Sequence, residues 1–272
     1  MPGSLHGKVV VVTGSTRGIG RVIAQACAAR GATVVLNGRG AGVAEALAEL
    51  HDAGAIATCV SGDVSRPEDV RRLFDHVLTE HGRIDVWFNN AGLSGGFRPL
   101  SEFSEDEIVS IVDTNITGVM LCCRLVIPYM RENGGLIVNM CGRGSRGEVA
   151  KFGAVYAATK AAVASLTRSV AEENSDAGSM AIIGMIPGMV DTDFYSDMNV
   201  SPSLADKVVN VEIALDAFGA SLDEVGEFGA MLAARGPAHR TGEIHSIIGR
   251  SRAMKGVAKL MRARITGKMK PL

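Results

Sequence analysis

Aromatic side chains are few: they make up 4% of the 272 residues, with one Trp, three Tyr and eight Phe. A core short of rings is filled by aliphatic residues, and these suit strands buried on both faces. Cysteine is sparse as well. Cys27, Cys59, Cys122, Cys123 and Cys141 are odd in number, and no two stand in a C-x-x-C spacing. That argues against a disulfide framework and a metal site, and for a reducing compartment. No apolar run is long enough to span a bilayer, and the N-terminal "KVVVVTG" has no secretory cleavage pattern. The chain is expected in the cytoplasm, peripheral to a membrane at most. Acid is missing from one stretch in particular. Eight of the 28 basic residues lie between Arg250 and Leu272, where there is no Asp or Glu, leaving 20 basic against 29 acidic residues before them. An acidic body thus carries a basic tail, and such asymmetry points to a surface partner.

What is present is aliphatic residue and glycine. Hydrophobic residues reach 47% and Gly numbers 33, enough for a packed core and many tight turns. Short apolar runs recur at 8–13, 32–37, 55–61, 84–89, 135–141, 181–186 and 243–249. They are continuous rather than alternating, which is the pattern of parallel strands covered on both sides. Segments 18–30, 41–53, 67–81, 105–131 and 154–174 between them are long enough for crossover helices. The alternation predicts one α/β domain, a doubly wound parallel sheet of about seven strands with helices on both faces, over residues 1–250. Residues 251–272 form the basic tail. The stretch 188–220 does not alternate and is expected to cover the carboxyl edge of the sheet, where such folds bind ligands.

The first strand runs straight into "TGSTRGIG", with Gly14, Gly18 and Gly20. Glycine lets the backbone turn and approach a pyrophosphate, and the helix that follows offers free N–H groups and a positive dipole end. The second strand ends "LNGRG" with no carboxylate for ribose hydroxyls. Arg39, helped by Arg17, can hold a 2′-phosphate instead, which favours NADP(H); the other reading makes Arg39 a solvated turn residue. Asp63 after the third strand and Asn90, Ala91 and Gly92 after the fourth also fall at strand carboxyl ends.

Taken with Asn115 in "DTNITG", Tyr156-x-x-x-Lys160 and "PGMVDT" at 187–192, these ordered motifs make the chain resemble the short-chain dehydrogenase/reductase family over nearly its whole length. The resemblance implies a Rossmann-type sheet, hydride transfer with a nicotinamide cofactor, and a homo-oligomer built on helices such as 105–131 and 154–174. It adds Ser15, Thr16, Ile19, Val64, Pro187, Gly188, Val190 and Thr192 to the cofactor contacts. The chemistry agrees. A carbonyl that takes up hydride needs a proton at its oxygen, and a free tyrosine, with pKa ~10, gives one up reluctantly. Lys160, one helical turn on, lies on the same face and lowers that value by its charge. Tyr156 is then the general acid, Lys160 its tuner and ribose anchor, and Asn115 the holder of a water relay by family analogy.

One family feature is missing. Most members carry a substrate-binding serine where Gly142 stands. Ser145, three residues on in the loop "CGRGSRG", is the nearest hydroxyl; it either replaces that serine or caps a turn while a backbone N–H polarises the carbonyl. The loop, together with "GFRPL" and "PGMVDTDF", resembles the chlorophyll b reductases of plants. That implies reduction of a ring formyl group on a chlorin. Cys141, Gly142, Met189, Phe194, Tyr195 and Met198 are the substrate-side candidates. Met and aromatic residues suit a large flat apolar ligand, and equally suit ordinary packing. Another carbonyl substrate (quinone, steroid or acyl ketone) and a silent NADP-binding protein are the competing readings.

On a helical wheel Met254, Val257, Ala258, Met261 and Ile265 share one face of the tail, and Arg252, Lys255, Lys259 and Arg262 another. Such a helix lies on an anionic membrane, packs on the acidic body, or joins a neighbouring subunit. No nucleic-acid recognition motif accompanies the charge.

Overall fold

A computed structural model describes residues 4–192 and 199–269. Seven strands form one parallel sheet: β1 Val9–Val12, β2 Thr33–Gly38, β3 Ala57–Ser61, β4 Val86–Asn89, β5 Gly135–Met140, β6 Met180–Ile186 and β9 Ile244–Ser246. Their order is β3-β2-β1-β4-β5-β6-β9, and every neighbouring pair is parallel. Each of the seven apolar runs matches one of these strands to within three residues at its ends, and the expected doubly wound Rossmann-type sheet is present. The strand order reverses direction at β1, which lies between β2 and β4, so the crevice outside their carboxyl ends is the ligand position of this architecture.

Alternate residues of each strand serve opposite layers, as the two-residue period requires. Val10 and Val12 pack with Ile23, Ala46 and Val225 on one face; Val9 and Val11 pack with Leu73, Val126 and Val163 on the other. The first layer contains α1 (Gly18–Ala29), α2 (Gly42–Asp52) and α8 (Leu222–Arg235). The second contains α3 (Pro67–His81), α5 (Gly118–Asn133) and α6 (Ala154–Glu173). Helix α8 is absent from the sequence expectation. It starts with a capping box between Ser221 and Glu224 and lies close on α1. A Cβ at Gly226 would stand 2.7 Å from the Val22 carbonyl oxygen, and one at Gly229 2.8 Å from Ile23, so only glycine allows this approach.

The run Glu105–Asn133 corrects the expectation that no stretch is long enough to cross a membrane, for it passes by length and composition. Here it consists of α4 (Glu105–Val112), a π turn Asp113–Thr117 and α5. Val119, Cys122, Cys123, Val126 and Met130 of α5 are buried in the second layer. The five cysteines are free thiols. Burial pushes Cys27 and Cys123 up to about 12, leaving both inert as nucleophiles.

Between β6 and α8 the chain makes its excursion. It holds β7 (Met189–Val190), a 3-10 turn Pro202–Lys207, α7 (Val208–Phe218) and β8 (Gly219–Ala220), with β7 and β8 paired beside the main sheet. A bridge between Phe97 and Val200 ties it to the loop after β4. Phe194, Tyr195 and Met198 lie outside the described residues. The tail forms α9 (Arg250–Ile265), packed on α7.

Candidate active site

The turn after β1 and the turn after β4 are stitched together by one threonine. Thr13 Oγ1 donates to the Phe88 carbonyl (3.1 Å) and accepts the N–H groups of Asn90 (2.9 Å) and Ala91 (3.1 Å), using the full capacity of a hydroxyl. Asn90 Nδ2 donates to the carbonyls of Thr13 and Gly14, at 2.8 and 3.0 Å. Side chains are excluded at the glycines. Gly14 has φ +62°, and a Cβ there would come 2.7 Å from Ala91 Cα; one at Gly20 would overlap the Gly14 carbonyl. Gly18 differs. Its φ is +55°, and a Cβ there would meet only Thr192, at 3.9 Å. The opening of α1 therefore faces the 187–192 motif across a space. Arg17 at the N-cap makes no side-chain cap, so the first N–H groups of α1 are left for an anion. These residues fit a dinucleotide. Gly14, Gly18 and Gly20 shape the cradle, Ser15, Thr16 and Ile19 line the turn, and Thr192 stands opposite.

At the neighbouring strand ends, Ser15 N–H donates to the Asn37 carbonyl (2.9 Å), and a Cβ at Gly38 would lie 2.5 Å from Thr16 Cγ2. Arg39, largely exposed, stands 3.5 Å from Asp63. Burial works to raise the Asp63 carboxyl, but hydrogen bonds from Ser65 and the Arg39 guanidinium outweigh it and hold it below the usual carboxylate range. Val64 packs against α5, within 2.8 Å of where a Gly118 Cβ would stand. Gly92 lies against the Asn115 amide, and Gly188, with φ +80°, turns the chain from Pro187 into β7, where Val190 is buried.

Tyr156 and Lys160 lie one turn apart on α6, and Lys160 Nζ sits 5.5 Å from the Tyr156 ring centre. The lysine is buried and donates to the Met140 carbonyl at the end of β5 (2.8 Å). Burial brings its pKa down to about 8, with Cys141 acting the other way. Asn115 occupies the π turn, a distortion that often marks functional sites. Its Oδ1 accepts Leu93 N–H (2.7 Å), and its Nδ2 donates to the Leu93 carbonyl (2.9 Å) and Thr159 Oγ1 (3.0 Å). Thr159 in turn donates to the Tyr156 carbonyl (2.7 Å). The Asn115 side chain is thus spent on joining the β4 loop to α6.

The loop after β5 shows where a serine would stand. A Cβ at Gly142 would lie 2.8 Å from the Tyr156 phenol oxygen. Position 142 faces the phenol and carries no side chain. Ser145 is buried: its Oγ accepts Gly142 N–H (3.0 Å) and donates to the Lys160 carbonyl (3.1 Å). Its one proton is committed, and so is the N–H of Gly142. Cys141 is buried between β5 and β6, where burial raises its thiol. Met189, half-buried on β7, lies beside Gly219.

Sequence reasoning passed over Thr13 and Thr159. Both stood next to residues it singled out, directly before Gly14 and directly before Lys160, and a hydroxyl at a motif's edge is the signal that could have found them.

The family model for short chain dehydrogenases matches residues 8–202. A chloroplastic chlorophyll(ide) b reductase of Arabidopsis thaliana is 36% identical over 191 residues, covering 68% of this chain and 55% of that protein. The plant relatives bearing that name are longer, and this chain spans 40% to 56% of their length. A 3beta-hydroxysteroid dehydrogenase of Eggerthella lenta is 36% identical over 204 residues, with 73% of this chain and 76% of that protein covered. Among solved structures, a gluconate 5-dehydrogenase from Burkholderia cenocepacia in complex with NADP and tartrate superposes with TM-score 0.77 at 27% identity, over 90% of this chain and 95% of that one.

Proposed function

This chain belongs to the short chain dehydrogenase family of oxidoreductases, and we propose that it is an NADPH-dependent reductase of a large, flat, apolar carbonyl compound, first among them the ring formyl group of chlorophyll b. The catalytic unit in this reading is residues 1–250, working as a homo-oligomer. Val109 and Met120, exposed on the 105–133 run, offer apolar surface to a second copy.

NADPH, when bound, supplies the hydride. The residues do the rest. The α1 N-terminus and the glycine turn hold the pyrophosphate, and Asn90 fixes that turn. The Arg39–Asp63 pair is exposed and therefore weak, so Arg39 can exchange its carboxylate partner for a 2′-phosphate. Tyr156 gives its phenol proton to the carbonyl oxygen. Lys160, charged below about 8, favours loss of that proton. Asn115 and Thr159 hold the helix turn that presents both, and Ser145 locks the 142–145 loop to the Lys160 backbone as a positioning residue.

The observation that carries the reading is the bare Gly142 opposite the Tyr156 phenol. Where other members place a hydroxymethyl side chain, this chain has only a hydrogen, so the Tyr156 phenol packs directly on the loop backbone and no side chain at 142 stands between it and a bulky substrate. The likeness to plant chlorophyll(ide) b reductases supports the chlorin. The likeness to a 3beta-hydroxysteroid dehydrogenase, matched over more of its length, supports a second reading in which the flat substrate is a steroid.

The test is incubation of purified protein with NADPH and detergent-solubilised chlorophyll b, followed by chromatography of the pigments. A hydroxymethyl product that needs NADPH is expected. No pigment product, with NADPH bound and a 3-ketosteroid reduced, moves the assignment to the steroid. No product from either overturns the large-carbonyl reading.

A further inference from the structure

Helix α9 is docked the wrong way round for a packing helix. Its inward edge holds Gly256, the half-buried Leu260 and Ala263, flanked by charge. Gly256 is buried against the Phe218 ring of α7, too close for any side chain, and Ala263, two turns on along the same side, is buried as well. Arg252 pairs with Glu224 at 2.5 Å, and Lys259 Nζ reaches the Asp216 carbonyl at 2.9 Å and its carboxylate at 3.2 Å. Four other large apolar residues point out: Met254 is 72% exposed, Met261 62%, Ile265 86% and Val257 46%. Had the helix been built only to cover α7, the hydrophobic effect would have turned these four inward.

The flanks of this outward stripe are basic. At ~100° per residue, Met261, Met254, Ile265 and Ala258 occupy one sector. Lys255 and Arg262 border it on one side and Arg264 on the other, all three exposed. No Asp or Glu occurs from 250 to the end of the chain. An apolar stripe between cationic borders is the pattern of a helix lying in a bilayer interface, with its stripe in the acyl region and its cations at anionic headgroups.

We propose that the outward face of α9 is a docking surface for an anionic lipid bilayer. The charge pattern decides between occupants. Two copies meeting face to face would bring Lys255, Arg262 and Arg264 against their own kind with no carboxylate to offset them, whereas anionic headgroups complement all three. The rest of the chain has more acid than base, so the membrane attracts the protein at α9 and repels it elsewhere, which fixes orientation. The placement also has a consequence for substrate. α9 rests on α7, part of the excursion beside the carboxyl edge, so docking brings the substrate side of the site to the lipid. This last step rests on the reading of an apolar substrate; the docking itself does not.

Co-sedimentation of the full chain with vesicles of phosphatidylcholine alone, and of phosphatidylcholine mixed with phosphatidylserine, tests it. Binding to the anionic vesicles, weakened by salt, is expected. Each cation near such a surface strengthens binding about fivefold, so Lys255→Glu with Arg262→Glu weakens it at least 25-fold, roughly. Met254→Ser, Met261→Ser and Ile265→Ser together abolish it. These variants alter only outward residues, so melting temperature and NADPH binding stay at wild-type values. No vesicle binding by the wild type, or binding indifferent to phosphatidylserine and to both sets of changes, overturns the proposal. So does a wild-type oligomer that falls apart when Met261 becomes serine, since that outcome makes the face a contact between copies.

Discussion

At β1 and β4 the carboxyl edge is glycine because backbone presses on backbone: a Cβ at Gly14 or Gly20 would run into Ala91 or the Gly14 carbonyl. At β5 the same edge is glycine for the opposite reason. A Cβ at Gly142 would meet the movable end of a side chain, the Tyr156 phenol. In the proposed reading the first pair shapes the dinucleotide cradle. At the second position the absent side chain lets the Tyr156 phenol lie against the loop backbone. The first contacts cannot be relaxed, whereas the second is with a single side-chain oxygen.

Breaking the comparison at its chemical centre has the largest effect. Tyr156→Phe keeps the ring and removes the proton, so turnover falls by about 10²–10⁴ while NADPH affinity is unchanged in a fluorescence titration. Undiminished turnover removes Tyr156 as acid. Next comes the cradle. Gly20→Ala forces its Cβ onto the Gly14 carbonyl and costs on the order of 1–3 kcal/mol of overpacking, read as a lower melting temperature together with weakened NADPH binding. Ser145→Ala leaves the buried Gly142 N–H without its partner, at about 1–3 kcal/mol of stability, while the Lys160 carbonyl keeps its helical bond. If Ser145 only positions the loop, turnover falls with KM for substrate little changed, and Ser145→Thr restores part of it. A rise in KM alone would make the hydroxyl a substrate ligand. Arg39→Ala sharpens the cofactor side, weakening NADPH about tenfold and leaving NADH untouched.

The smallest effect is in pH. Lys160 ordinarily stays charged to ~10.4, and burial brings it to about 8. The folded value lies below the unfolded one, so the unfolded chain holds more protons between the two. Stability therefore rises with pH across that window, while below about 8 the burial cost is fully present. Denaturant melts of the wild type against Lys160→Met at increasing pH show the rise in the first and not in the second.

Most of the sheet was legible because each strand is a continuous aliphatic run between turn residues, and the glycine turn after β1 because it lies in a short motif directly at a strand end. Three things were not. Helix α8 went unread although Ser221 and Glu224 form a capping box, because the irregular excursion before it blurs the strand–helix alternation. The role of Ser145 depends on the Lys160 carbonyl, fifteen residues on and visible only once the loop folds back on α6. The wheel found the two faces of the tail but not which faces out, because Arg252 and Lys259 find their acids on α8 and α7.

The measurement that bears most directly on the gap at position 142 is the ratio of kcat/KM for chlorophyll b to that for benzaldehyde, in the wild type and in Gly142→Ser. The account predicts that serine restores a hydroxyl beside the phenol and fills the space, so the ratio drops at least tenfold, about 1.4 kcal/mol, with benzaldehyde turnover kept or raised. A ratio that does not change, with both substrates slowed or both unaffected, would contradict it.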